Sequence, residues 1–199
     1  MKLEVRDAQA PDLPEIKRLA DEYLSQDYYS LDALEGMLRG DRNLFYVVTD
    51  ADRGNAVISF FYAFLSTLDE ALQILHVPDK PEPLPEYGGD ALVAVYKASS
   101  TENAYRKHGI CSSFVRSLQP VVQKRGAKMI LATALRPSGR EAPMKHIFLE
   151  NGFIAISDIW RPWAGIRGYC PYCKRDYCIC DAVFYMKKLD ETESEDFSE

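Results

Sequence analysis

The sequence predicts an α/β fold in which helices cover one mixed, partly parallel sheet. Three observations carry this. Strand-like and helix-like segments follow one another as β-α-α-β-β-α-β-α-β-α-β-β, and the strand–helix–strand alternation of the second half calls for a parallel pair. Apolar residues make up 47% of the 199, enough for a substantial core. "MILATAL" at 129–135 is almost free of polar groups, as a strand buried on both faces should be.

The elements follow in order. "LEVR" is a short strand. Asp12 can cap a helix whose Leu13, Ile16, Leu19, Ala20, Tyr23 and Leu24 share one face. Ser30 opens a second helix carrying Leu31, Leu34, Met37 and Leu38, with Gly40 at its end. "LFYVVT" and "AVISFFYAFL" are rich in β-branched and aromatic residues, and "DADRGN" between them reads as a hairpin connection. Thr67 and Glu70 have the spacing of a capping box for a helix ending near Leu75. The proline-rich stretch 77–90 is a loop, and "ALVAVYKASST" (91–101) is the next strand. A helix then runs from Gly109 to Gly126, with Pro120 expected to kink it or split it near Leu118. Pro143 lies early in the last helix and Gly152 ends it. "FIAISDIW" and "AVFYMKKL" are the final strands.

Residues 1–189 read as one domain that includes a cysteine-bearing insertion at 161–181. Residues 190–199, "DETESEDFSE", read as an acidic, disordered tail. That tail accounts for the net charge of −6, so the body is close to neutral and nucleic acid is not an expected partner. No stretch approaches the roughly 18 apolar residues of a membrane span. The charged start "MKLEVRDAQAPDL" does not resemble an export signal, so a cytoplasmic, reducing setting is expected.

The chemistry concentrates in "AYRKHGICSSF" (104–114). A strand that passes through a turn into a helix leaves the first helical N–H groups without partners, and these favour an anion. Gly109 lets a phosphate approach the backbone, and Arg106 and Lys107 add positive charge; a diphosphate suits such a seat. Here "RKHGIC" resembles the R/Q-x-x-G-x-G/A signature of the GNAT acyltransferase superfamily. Tyr105, the "SSTE" at 99–102 and the later "HIFLENGF" add to the likeness. The order of elements agrees from about residue 3 to 160, with the last strand at 182–189.

The resemblance implies a GNAT-like sheet, mostly antiparallel, with a parallel fourth–fifth pair splayed around the cofactor and helices on both faces. It implies transfer of an acetyl group from acetyl-CoA to a primary amine of a small molecule or protein. It carries Arg106, Lys107, His108, Gly109, Ile110 and Cys111 over as the diphosphate seat, and Ser99, Ser100 and Thr101 as the source of an oxyanion-binding amide. Two positions depart from the pattern. Cys111 stands where Gly or Ala is usual. Phe148 stands where many relatives place a tyrosine that protonates the leaving thiolate. The alternative is a module on the same scaffold that binds acyl-CoA, or a protein through its cysteines, without turnover.

Glu102 and Asp90 flank the motif strand; each is either a base for the amine or an ordinary surface carboxylate. His146 points away from the Phe148 direction, His108 contributes its backbone, and His76 ends a helix. Tyr28 and Tyr29 border the acceptor side or pack at its rim. Cys170, Cys173, Cys178 and Cys180 form C-x2-C-x4-C-x-C. Disulfides, a redox pair at "CPYC" and an iron–sulfur cluster are weighed against a structural metal, with zinc preferred on ligand type; the ion would pin the hairpin between the last two strands.

Overall fold

The computed structural model describes residues 2–189. Its main sheet has seven strands: β1 (Leu3–Asp7), β2 (Asn43–Asp50), β3 (Ala56–Thr67), β4 (Leu92–Thr101), β5 (Met129–Arg136), β6 (Ile154–Ile159) and β9 (Asp181–Lys188). They lie in the order β1-β2-β3-β4-β5-β9-β6, so the last strand inserts between β5 and β6. All neighbours are antiparallel except β4 and β5. A separate two-stranded hairpin, β7 (Arg167–Cys170) and β8 (Arg175–Tyr177), occupies the insertion.

Helices cover both faces. On one, α4 (Ile110–Lys124) and α5 (Lys145–Glu150) pack Phe114, Val115, Leu118, Val122 and Phe148 against Phe61, Ala94, Tyr96, Ile130 and Tyr185. On the other, α1 (Leu13–Tyr23) and α2 (Leu31–Met37) cover Phe45, Val47 and Phe60, while α3 (Leu68–Ile74) covers Val93, Val95 and Phe184. The period-two alternation of β4 produces this division: Val93 and Val95 face α3, Ala94 and Tyr96 face α4. Two of the three expected caps form. Ser30 accepts from the Ala33 amide, and Thr67 and Glu70 complete a capping box. Asp12 is the exception: its carboxylate accepts nothing from the first turn of α1. It is taken up instead by two hydrogen bonds from Arg6 on β1 (2.6 and 2.8 Å) and one from the Gln9 amide.

Of the kink or split expected at Pro120, the split is absent: α4 is continuous for 15 residues. An interior proline costs about 3 kcal/mol. Burial of Phe114, Val115, Leu118 and Val122 contributes roughly 6–12 kcal/mol at about 1.5–3 each. Both Pro120 and Arg116, whose carbonyl loses its partner, lie on the exposed side, where water can satisfy the freed oxygen. The acidic stretch 190–199 lies outside the described residues.

Candidate active site

The site begins where β4 and β5 part. Their parallel pairing spans only Ala94↔Ile130, Val95↔Leu131 and Tyr96↔Ala132. From there β4 continues to Thr101 bonded to β3 alone, leaving its other edge open toward β5. A bulge marks the parting: Ala63 pairs with Tyr96 and Tyr62 with Ala98, so Lys97 is an extra residue on β4. Burial pushes the Lys97 ammonium below the usual lysine range, and its Nζ is 3.4 Å from the Ile74 carbonyl.

At the end of this open edge stands the turn into α4. Tyr105 fixes it from beneath: the ring is buried, and its hydroxyl donates to Asp50 Oδ2 at 2.6 Å. Lys107 and Gly109 both adopt left-handed backbone, with φ of 64° and 77°. A Cβ on Gly109 would meet nothing within 4 Å, so the turn is open in front of that residue. The amides of Gly109, Ile110 and Cys111 find no acceptor among the described residues, and no side chain caps the helix. Three free N–H groups at the positive end of a 15-residue helix, with room before them, make this turn the candidate anion seat.

The side chains around the seat have separate duties. Arg106 donates from Nε to the Thr101 carbonyl (2.9 Å) and lays its guanidinium 4.5 Å over the Tyr23 ring, facing α1. His108 is exposed. Ser100 Oγ donates to the Leu19 carbonyl, and Thr101 Oγ1 shares a 2.7 Å hydrogen bond with Ser59 Oγ; both side chains fasten the strand to its neighbours. Ser99 faces the other way and accepts from the Tyr96 hydroxyl at 2.7 Å. Cys111 lies beside this pair, 3.5 Å from Tyr96 Oη, 3.9 Å from Ser99 Oγ and 3.8 Å from Met144 Sδ. Burial pushes its thiol above the usual range, which suits a neutral packing group and not a nucleophile.

Neither candidate base sits free at the seat. Glu102 caps the end of β4 but accepts from Arg18 (3.1 Å) and Arg53 (2.9 Å), one arginine on each oxygen. Asp90 precedes β4, a strand-length of about 30 Å from the turn. The structure therefore does not bring Asp90 to the motif. His146 is exposed and pairs with Glu141. Phe148 is 1% exposed and packs against Tyr96, Phe153 and Tyr185. Tyr28 and Tyr29 meet edge-to-face in the α1–α2 loop, with the Tyr29 ring buried and Tyr28 at the rim.

The four inserted cysteines converge. Their sulfurs all lie within 4.8 Å of one another, against Leu135 and Trp163. A tetrahedral zinc thiolate with Zn–S near 2.3 Å has S···S edges of about 3.8 Å, so the cluster has the dimensions of such a site.

No protein-family model and no curated protein matches the sequence. Solved structures do match. A chain of the NatC complex bound to Gag peptide and CoA is 17% identical at a TM-score of 0.66, over 96% of this chain and 100% of its own. Arabidopsis thaliana NAA60 in complex with acetyl-CoA is 12% identical at 0.68, over 94% and 100%. The ribosomal-protein-S18-alanine N-acetyltransferase from Escherichia coli is 13% identical at 0.63, over 98% of each. The chain has the GNAT fold. Within the GNAT fold, the parallel β4–β5 pair and the helix that follows β4 stand where the motif led the sequence to expect them.

Sequence reasoning passed over Tyr96 and Met144, which contact Cys111, Tyr172, which shares a cleft with Arg106, and Lys97, the extra residue where β4 and β5 part. Tyr96 and Lys97 looked like ordinary strand positions, although a lysine in the otherwise apolar "ALVAVYKA" was a signal. Met144 and Tyr172 gave none, because a β5–α5 connection and an inserted hairpin can reach any part of the rim.

Proposed function

We propose that this protein transfers an acetyl group from acetyl-CoA to a primary amine of a small molecule or protein. One observation carries the reading: free amides at Gly109, Ile110 and Cys111 stand at the end of a strand edge left open by the parting of β4 and β5. The diphosphate would sit on the amides, with the pantetheine arm along the open edge. Solved structures of the same fold that hold CoA or acetyl-CoA support this.

In the transfer, the amine nitrogen attacks the thioester carbonyl, the C–N bond forms, the C–S bond breaks and the thiolate takes a proton. Backbone amides along Ser99–Thr101 are the proposed donors to the oxyanion. We assign the proton donor to Tyr96, because Phe148 carries no proton and the Tyr96 hydroxyl sits between Ser99 and Cys111 at the head of the opening. Burial holds that hydroxyl well above the usual tyrosine range, so it keeps its proton at neutral pH. With both Glu102 oxygens engaged, the amine is best deprotonated through water, and positioning supplies much of the rate.

The ion favoured at Cys170, Cys173, Cys178 and Cys180 is zinc, a structural component and not a participant in the acyl chemistry. A binding module without turnover is the second reading, and the apolar Phe148 is what favours it.

Calorimetry with acetyl-CoA tests the seat, and release of free coenzyme thiol against a panel of amines tests turnover. Binding abolished by Gly109→Glu, together with amine-dependent thiol release, is the expected result. No binding by the wild-type chain would end the reading, and tight binding without release from any amine would favour the module.

A further inference from the structure

We infer that a zinc ion held by the four cysteines fixes residues 160–180 as the acceptor-side wall of the site, latched to the α1–α2 loop and presenting Tyr172 beside Arg106. The inference deepens the acetyltransferase reading and rests on it for the word acceptor.

The segment has no apolar core of its own. Between Trp160 and Cys180 the only buried residues are Cys170, Cys178 and Cys180. Its strands share only two registered pairs, Arg167↔Tyr177 and Cys170↔Arg175, interrupted by an irregularity. A hairpin that small is marginal in water without a further constraint. Yet it carries exposed Trp160, Ile166, Tyr169, Tyr172 and Tyr177, side chains that would collapse onto one another were the backbone free.

The local geometry suits a metal knuckle. Lys174 takes left-handed backbone (φ 56°), and its amide donates to the Cys170 carbonyl at 2.8 Å, turning Cys173 back toward Cys170. Residues 178–180 leave the strand conformation, which allows two cysteines two positions apart to face one point. An all-thiolate donor set selects a thiophilic metal such as zinc over hard cations.

The constraint reaches the site through three contacts. The Gln26 amide donates to the Tyr169 carbonyl (3.3 Å), joining the hairpin to the loop that holds Tyr28 and Tyr29. Gly168 lies so close to Ser25 and Gln26 that a Cβ would come within 2.6 Å of Ser25 Oγ and 3.1 Å of the Gln26 carbonyl. Pro171 and Tyr172 then form a cleft of about 330 Å³ with Glu22, Tyr23, Asn103 and Arg106. Two turns of chain far apart in sequence meet across that cleft, and the cysteines anchor one of them.

The full chain is purified under reducing conditions and analysed for metal. About one zinc per chain is expected, and cobalt(II) in its place should give thiolate charge-transfer bands and tetrahedral d–d absorption. Hydrogen exchange is then compared with and without chelation. Removal of the metal should speed exchange about tenfold or more in both 160–180 and 24–30, while affinity for acetyl-CoA changes less than about threefold. Tyr172→Ala, with zinc retained, should raise the KM for the amine by about tenfold at nearly constant kcat. One iron per chain, metal well below one equivalent in protein with native exchange, or unchanged exchange at 24–30 after chelation would each overturn the inference. Failure to bind acetyl-CoA would overturn the acetyltransferase reading and leave the metal and exchange results to decide the latch.

Discussion

Replacing Gly109 by alanine separates the backbone argument from the ligand argument. The residue has φ of 77° with open space around its Cβ, so the only cost in the free protein is holding an L-residue in left-handed backbone. That cost is about 1–2 kcal/mol. For a chain of this size it lowers Tm by roughly 2–8 °C. Gly126, at the other end of α4, is the matched control: φ is 88°, and an added Cβ would touch only Leu92 at an ordinary 3.8 Å. Both alanine variants should melt early by similar amounts. Only Gly109→Ala should also weaken acetyl-CoA binding, because its Cβ occupies the space in front of the free amides. Losing one charge-assisted hydrogen bond of about 1.5–3 kcal/mol predicts a 10- to 150-fold rise in Kd by calorimetry. Gly109→Glu adds charge repulsion and should exceed that. If the two alanine variants bind acetyl-CoA equally well, the seat is not at this turn and the reasoning fails.

Four further outcomes follow from the geometry. Tyr96→Phe should retain acetyl-CoA affinity and lose about 100-fold in kcat in a thiol-release assay; undiminished turnover would remove Tyr96 as proton donor. Glu102→Gln should leave kcat within about threefold, because both oxygens already serve Arg18 and Arg53; a far greater loss would restore it as base. Pro120→Ala should raise Tm by several degrees, by restoring a helical hydrogen bond on an exposed face, and a lower Tm would mean that the proline serves packing. For Asp12, burial pushes the carboxyl up, but the hydrogen bonds from Arg6 and the Gln9 amide outweigh it and leave it below the usual range. A depressed folded value contributes stability that is complete above the unfolded value of about 3.9 and is lost as pH falls through the folded one. Asp12→Asn should therefore lower Tm at pH 7 and flatten its acid dependence; an unchanged acid limb would refute the linkage.

The fold was legible because local chemistry and global arrangement agree. Thr67 and Glu70 cap a helix wherever they stand at that spacing, and the apolar run at 129–135 had to become an interior strand. The split expected at Pro120 is absent because its local cost, visible in sequence, is outweighed by four side chains that come together only once packed. At Arg106–Cys111 the turn between strand and helix was readable, since glycine is the residue that reaches left-handed backbone without steric cost. The candidate base was not. Glu102 lies beside the motif in the chain, yet Arg18 and Arg53, far away in sequence, engage it. Asp90 adjoins the same strand at its wrong end. The cysteine spacing announced a cluster, while its contact with Ser25 and Gln26 depends on how the insertion folds back, which spacing does not encode.

The strand order also sets a timetable. β9 pairs with β5 from Met129 to Arg136 and with β6 on its other side, so it occupies a slot that stays vacant until residues 181–188 leave the ribosome. Until then the growing sheet ends at the raw edge of β5, β6 has no strand partner, and the hairpin just upstream of β9 is held by its contacts with Ser25 and Gln26. If the four cysteines take up the proposed ion before β9 docks, the last strand begins its search from a fixed point beside its gap.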